Sequence, residues 1–436
     1  MPASPADSAL YRHLFSDDEV AALFTDSAEI RACMLVEGTL AKVQGTLGLI
    51  PEDAAAYLHR ASFELQIDPS SLAQDTATNG VPIPALVSAF RKACEAPEHA
   101  AWLHWGATSQ DIMDTALALR LRRMLAIFDT RLTHLIPTLG QLAETHAVTA
   151  MAARTYGQTA TPTSFGAVVA SWGRPLLHHR ARLAEVTAQV TQVSLSGAAG
   201  TLSAMGDKGP EVRAALAKAL HLTDPGQTWH TDRSGIAALS AWLTTLTTLL
   251  AKMGEDLILL TQSGLNEVTI SGAGASSTMP QKQNPVGPSV FIAIARQAVA
   301  LNSALQGATI HRQQRDGAAW FTEWLSLPQL CILSAKALAL ATDLAQRIHP
   351  NPDAMQQGLD AGNGVIFAEA LTFALSTRMP RPEAAAKVKA LCLEAAKGTH
   401  LLTLAALRYP DTNWRETLQK DMLGQAPAEA RAFAKS

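Results

Sequence analysis

Aromatic residues make up only 5% of this 436-residue chain. A β-sandwich or barrel wants more Val, Ile, Tyr and Phe than are present, so sheet architectures are disfavoured. Cysteine is equally sparse. Cys33, Cys94, Cys331 and Cys392 lie far apart with no C-x-x-C pair, which argues against a disulfide framework or a zinc ribbon. Each sits among apolar neighbours, and buried free thiols in a reducing compartment are expected. Only 17% of residues are charged, 35 basic against 38 acidic, and no run of like charge reaches five. A nucleic-acid surface or a polybasic membrane face is therefore not expected. The N-terminal stretch has no basic segment followed by an apolar core, so no signal peptide is expected. Residues 234–251 are 18 residues without a charge, but they include four Thr and two Ser and only touch the lower limit for spanning a bilayer. A buried bundle helix in a soluble, cytoplasmic protein is the expectation.

The chain does have apolar and helix-favouring residues in abundance: 48% are hydrophobic, with alanine and leucine prominent. An all-α fold follows. Ile30, Met34, Leu35, Leu40 and Val43 place an early helix that the segment from Gly45 to Pro51 should end. From Asp111 the scale lengthens. Apolar spacing predicts a helix of two dozen residues or more from there, and another over 165–195 with a kink at Pro175. Ile236, Leu239, Leu243, Leu246, Leu250, Met253, Leu257 and Leu260 predict a helix over 236–268. Residues 290–305 and 320–348 complete a set of five, and shorter helical periods follow to the C-terminus. Apolar nearly all round in its first half, the 236–268 segment implies burial in a bundle or between subunits.

Three polar segments interrupt this pattern. His104-Trp-Gly-Ala-Thr108-Ser109-Gln-Asp111 opens the first long helix. Its unsatisfied amides could receive an anion, or Ser109 or Asp111 could simply cap it. Arg154-Thr155-Tyr156-Gly-Gln158 precedes the next long helix, and could bind carboxylates or be an ordinary turn. The third, 272–288, joins two buried helices through Gly272, Gly274, Ser276, Lys282, Asn284 and several prolines. Loops of that length in compact domains are usually functional or disordered.

The third segment, Ser276-Ser-Thr-Met-Pro-Gln-Lys282-Gln-Asn284-Pro, resembles the signature of the fumarase/aspartase superfamily at every fixed position, with Ala275 where Gly is usual. His-x-Gly-x-Thr-Ser-x-Asp at 104–111 and Arg-Thr-x-x-Gln at 154–158 resemble its other two active-site segments, in the same order. Segments near 196–202, 205–209, 229–231, 320–328 and 363–370 are similar to the bacterial 3-carboxy-cis,cis-muconate cycloisomerase branch. The resemblance implies three helical domains, 1–110, 111–355 and 356–436. The middle one would be a long five-helix bundle, packing into a 20-helix homotetramer core whose active sites draw on three chains. It implies a small polycarboxylate substrate and no cofactor or metal.

By the same resemblance Ser276 moves a carbon-bound proton, with Lys282 stabilising its alkoxide. His104, Thr108, Ser109, Arg154, Thr155, Gln158, Asn284 and Arg315 would bind substrate. Tyr156, the third catalytic candidate, could donate a hydrogen bond; it departs from the His that many of these lyases use to protonate an amine leaving group, and no His stands near Asn79-Gly80. Amine elimination is thereby disfavoured, whereas a carboxylate nucleophile with a pKa of about 4 needs no base. Lactonisation of 3-carboxy-cis,cis-muconate is the function implied; a fumarate-releasing lyase is the alternative, and a non-catalytic scaffold the third. Asp232 replaces an expected Gln. His178 and His179 read as solvated or hydrogen-bonded helix residues, and the Gly197–Gly200 stretch lacks the Lys-Ser/Thr of a phosphate loop.

Overall fold

The computed structural model describes residues 4–275, 278, 279 and 281–436. The fold is all-α. Among the described residues, strands occur only as three short antiparallel pairs. The long helices are Ser109–Thr145, Phe165–Ala181, Ser234–Leu260, Val286–Gly307 and Gly317–Ala345. The first has 37 residues, which at about 1.5 Å per residue makes it roughly 55 Å long.

Two helix boundaries differ from expectation for visible reasons. The 236–268 segment leaves the helix after Leu260, because Gly264 and Asn266 take left-handed backbone conformations (φ 88° and 49°) and Val268–Ile270 then pairs with Ile348–Pro350. The 165–195 segment is divided at Arg182 into Phe165–Ala181 and Leu183–Val190, with Pro175 inside the first of these. The early helix, Asp26–Thr46, ends within the Gly45–Pro51 segment as expected. Gly45 lies in its last turn, where a Cβ would come within 2.3 Å of the Ala55 side chain, so glycine there permits the close approach of Glu52–Glu64.

The chain forms two compact units. One comprises residues 1–131, 179–248 and 293–339; the other comprises 132–178, 249–292 and 340–436. The core of the first gathers Met34, Leu40, Leu58, Ile83, Leu86, Phe90 and Leu216 from its shorter helices. Burying each such side chain contributes about 1.5–3 kcal/mol relative to exposure. The same unit holds His179, which is buried and stacked on Trp242 with centroids 4.5 Å apart, so of the two environments expected for it the solvated one is absent. Burial pushes the His179 pKa down to about 4. The core of the second unit gathers Leu371, Leu375, Leu401, Ala405 and Trp414.

Three helices, Ser234–Leu260, Val286–Gly307 and Gly317–Ala345, are long and apolar enough by composition to cross a membrane. Their most apolar stretches are only 44%, 44% and 50% buried within the chain. Leu259, Val299 and Leu325 are each more than half exposed.

Candidate active site

In the first unit, the site residues are organised by a carboxylate. Thr108 precedes Ser109–Thr145 and Asp111 lies in its first turn, where its Oδ2 accepts the Thr108 backbone N–H at 3.0 Å. This is one half of a capping box, and it fixes the angle at which the chain enters the helix. Asp111 thus satisfies the backbone from inside the helix, and it does more than cap. Completely buried, it also accepts the N–H groups of Ser196 (2.8 Å) and Gly197 (2.9 Å) and pairs with His230 Nε2 at 2.8 Å. One side chain therefore ties the 108 segment to the glycine-rich 196–200 segment and to the 229–231 segment. Thr108 and Ser109 are left half-buried at the positive end of a long helix dipole.

His104 stands just before this turn in a left-handed conformation (φ 65°). Its Nδ1 lies 2.6 Å from Glu37, a buried carboxylate whose other oxygen has no partner among the described residues. Burial opposes the imidazolium, but the charge and hydrogen bond of Glu37, with Asp111 beyond, outweigh it and hold the His104 pKa above its ordinary value. The ion pair contributes its full stability below the unfolded imidazole's pKa of about 6.5, and that contribution is lost as pH rises through the higher folded value. Thermal unfolding measured between about pH 6 and about pH 9 should show the wild type's advantage over Glu37→Gln shrinking as pH rises. A difference that stays flat across that window would show that the pair is not charged.

Arg315 reaches the same neighbourhood. Its Nε donates to Gln110 Oε1 at 2.8 Å and one terminal nitrogen meets the Ala198 carbonyl at 3.3 Å, while the rest of its guanidinium is exposed. Its neighbour Asp316 pairs instead with Arg312 and accepts the N–H groups that open Gly317–Ala345. The Arg312 hydrogen bond holds the Asp316 carboxyl well below the usual range. Behind Gln110 lies a buried charge cluster. Arg233 grips Asp114 with two nitrogens (2.8 and 3.1 Å) and Glu323 with two contacts (2.6 and 2.7 Å), all three side chains being at most 2% exposed. Burial opposes the Arg233 charge, yet Asp114 and Glu323 more than offset it and raise its pKa. Burial also raises the pKa of Glu323.

In the second unit, 154–158 is not an inter-helix turn but the tip of a hairpin, with Ala150–Thr155 paired to Gln158–Ser164. Tyr156 and Gly157 form its two-residue loop with φ of 52° and 72°. Left-handed backbone at both loop residues matches the right-handed twist of the strands. Arg154 is held bidentately by the buried Glu267 at 2.7 and 2.8 Å, so it anchors the hairpin through a charge-assisted fork. Thr155, Tyr156 and Gln158 face outward, Tyr156 being fully exposed.

The signature segment in this unit pairs Gly274 with Asn284 and position 275 with Gln283 in a small ladder. Its base is held by Arg347, which donates to the carbonyls of Ser271 (2.7 Å) and Gly272 (2.9 Å). A Cβ at Gly274 would meet Val286 at 2.8 Å, so glycine is needed for the ladder to close. Lys282 is exposed and Asn284 half-buried. Ser276 lies outside the described residues. Among the described residues, no group of three or more His, Cys, Asp or Glu side chains is arranged to hold a metal ion.

Comparison with known proteins identifies the family. Residues 15–300 match the lyase family. The chain belongs to the fumarase/aspartase superfamily of lyases. It is an enzyme of this superfamily with likeness to cycloisomerases. It is 36% identical to the 3-carboxy-cis,cis-muconate cycloisomerase of Pseudomonas aeruginosa, over 89% of this chain and 86% of that protein. The crystal structure of the 3-carboxy-cis,cis-muconate lactonizing enzyme from Pseudomonas putida superimposes with a TM-score of 0.92 at 32% identity, covering 98% of both chains. Other lyases are relatives too: the nitrosuccinate lyase of Streptomyces davaonensis is 32% identical over 92% of this chain and 87% of that protein.

The sequence motifs do not reveal the residues that hold this superfamily site in shape. Glu37, Gln110, Glu267 and Arg233 carry no motif role, and each meets its partner across 67 or more residues of chain. Gln110 is fully buried, so its amide must find partners on both ends, a demand visible only once the fold is known.

Proposed function

We propose that this enzyme lactonises 3-carboxy-cis,cis-muconate to 4-carboxymuconolactone in aromatic catabolism. The observation that carries the reading is Tyr156 in a chain otherwise similar to named cycloisomerases: the hairpin tip offers no imidazole for an amine leaving group. One terminal carboxylate of the substrate attacks the carbon bearing the 3-carboxyl group. The displaced electron pair moves into the adjacent carboxylate as an enolate, and Ser276 delivers a proton to the carbon next to it. The Ser276 alkoxide is then reprotonated from solvent. A trianion becomes a dianion, so one proton is taken up per turnover.

Such a dianionic enolate needs fixed donors where charge develops. Lys282 and Asn284 on the signature segment, Thr108 and Ser109 at the helix terminus, and Gln158 and Thr155 on the hairpin supply them in this proposal. His104 and Arg315 bind carboxylate, while Arg154 acts by holding the hairpin on Glu267. These residues belong to two different compact units. The half-buried apolar helices support burial of these faces by assembly, and the reading is a homotetramer with shared sites, soluble and cytoplasmic, of three helical domains, 1–110, 111–355 and 356–436.

Purified protein given 3-carboxy-cis,cis-muconate should bleach the diene's ultraviolet absorbance and take up one proton per lactone formed, with the product identified by NMR. A folded oligomer that leaves the diene untouched would sink this reading. It would favour the second one, a fumarate-releasing lyase, to which the likeness to nitrosuccinate lyase already lends support.

A further inference from the structure

We propose that Gln110 is a positioning residue: it sets the direction in which Arg315 presents its guanidinium to a substrate carboxylate. The proposal rests on the reading above, in which Arg315 binds carboxylate.

The amide of Gln110 can lie only one way round. Its Nε2 donates to Asp114 Oδ2 at 3.1 Å and to the His230 carbonyl at 2.9 Å, and neither of those groups can donate in return. The other end, Oε1, is therefore obliged to be an acceptor, and it takes the Nε–H of Arg315 at 2.8 Å. Asp114 is in turn held by Arg233, which Glu323 grips from the other side. The result is a continuous chain of bonds, Glu323–Arg233–Asp114–Gln110–Arg315, in which Asp114 accepts from both Arg233 and Gln110. Its first four members are at most 2% exposed and its last is exposed.

A long arginine on a surface ordinarily samples many rotamers, and ordering it on binding costs affinity. Arg315 has that cost removed in advance. Nε is occupied by Gln110 and one terminal nitrogen leans on the Ala198 carbonyl, so the remaining N–H groups of a planar fork point outward in a fixed plane. A carboxylate can then be met without first searching for the guanidinium.

The test compares Gln110→Met, Gln110→Glu, Arg315→Met and the Gln110→Met/Arg315→Met pair. It measures kcat and KM for 3-carboxy-cis,cis-muconate, together with the calorimetric Kd of tricarballylate, a tricarboxylate probe that needs no turnover. Gln110→Met is expected to raise KM and the probe Kd about tenfold, the scale of one charge-assisted hydrogen bond, with kcat within about threefold of wild type. The double variant should be no worse than Arg315→Met alone, because Gln110 acts only through that side chain. Should Gln110→Met fold poorly, Gln110→Glu keeps the test open. Its carboxyl, while protonated, can donate to Asp114 and accept from Arg315. KM should therefore stay near wild type at acid pH and climb as the proton leaves and the new carboxylate competes for the guanidinium. A Gln110→Met enzyme with unchanged KM, beside an Arg315→Met enzyme that binds poorly, overturns the proposal alone, as do additive effects in the pair. An Arg315→Met protein that binds tricarballylate like wild type overturns the reading of Arg315 and the proposal with it.

Discussion

An Arg233→Met variant is expected to lose about 3–5 kcal/mol of folding stability, the scale for removing one partner from a buried ion cluster. The cause is what remains behind. Asp114 and Glu323 are each 2% exposed, and without the guanidinium two buried carboxylates share a site with no other ion-pair partner among the described residues. Methionine fills much of the arginine stem's volume, so the loss isolates charge rather than packing. The two carboxyls would then take up protons at a raised pKa. A raised folded pKa contributes stability that is present at low pH and lost as pH rises, so the variant's deficit should shrink on acidification. Adding Asp114→Asn and Glu323→Gln to the same chain should recover most of the loss at neutral pH. Denaturant unfolding at one fixed protein concentration measures all of this, since association adds concentration-dependent stability. A single variant within about 1 kcal/mol of wild type would show that water or a rearranged side chain neutralises the cluster.

The second large effect is on chemistry. Ser276→Ala is expected to lower kcat by about 10²–10⁴-fold while KM moves little, the range for losing a positioned general acid. Removing one hydroxyl leaves Lys282 and Asn284 available to hold the substrate, so binding should survive. In the proposed mechanism the loss belongs to the proton delivered at carbon. Stopped-flow loss of diene absorbance, beside calorimetric binding of tricarballylate, separates the two. Turnover near the wild-type rate would remove Ser276 from the reaction and point to another donor.

The long helices were legible because burial imposes a 3.6-residue period, and Ile236, Leu239, Leu243, Leu246 and Leu250 keep it without interruption. Their ends were harder to read. Leu265 and Val268 continue the apolar spacing past Leu260, and only Gly264 and Asn266 mark that the backbone has already turned. The hairpin escaped because its second strand, Gln158–Ser164, is rich in threonine and short of apolar residues, which reads as a loop. The alternation of Thr159, Thr161 and Thr163 after a Tyr-Gly pair is the signal that was there. The three motif segments were legible as a set. What supports them was not, since Asp111 meets Ser196 and His230 across 85 and 119 residues, and no local pattern encodes such a meeting.

The placement of Tyr156 also bears on how such enzymes diverge. A residue at a hairpin tip, fully exposed in this chain and with its backbone already accommodated beside Gly157, can be exchanged at little cost to folding. Most active-site changes in proteins drain a small reserve of stability, and evolution must restore it before trying another. On the function proposed above, the leaving-group chemistry at this tip can change by a single substitution, imidazole to phenol, without that debt accumulating.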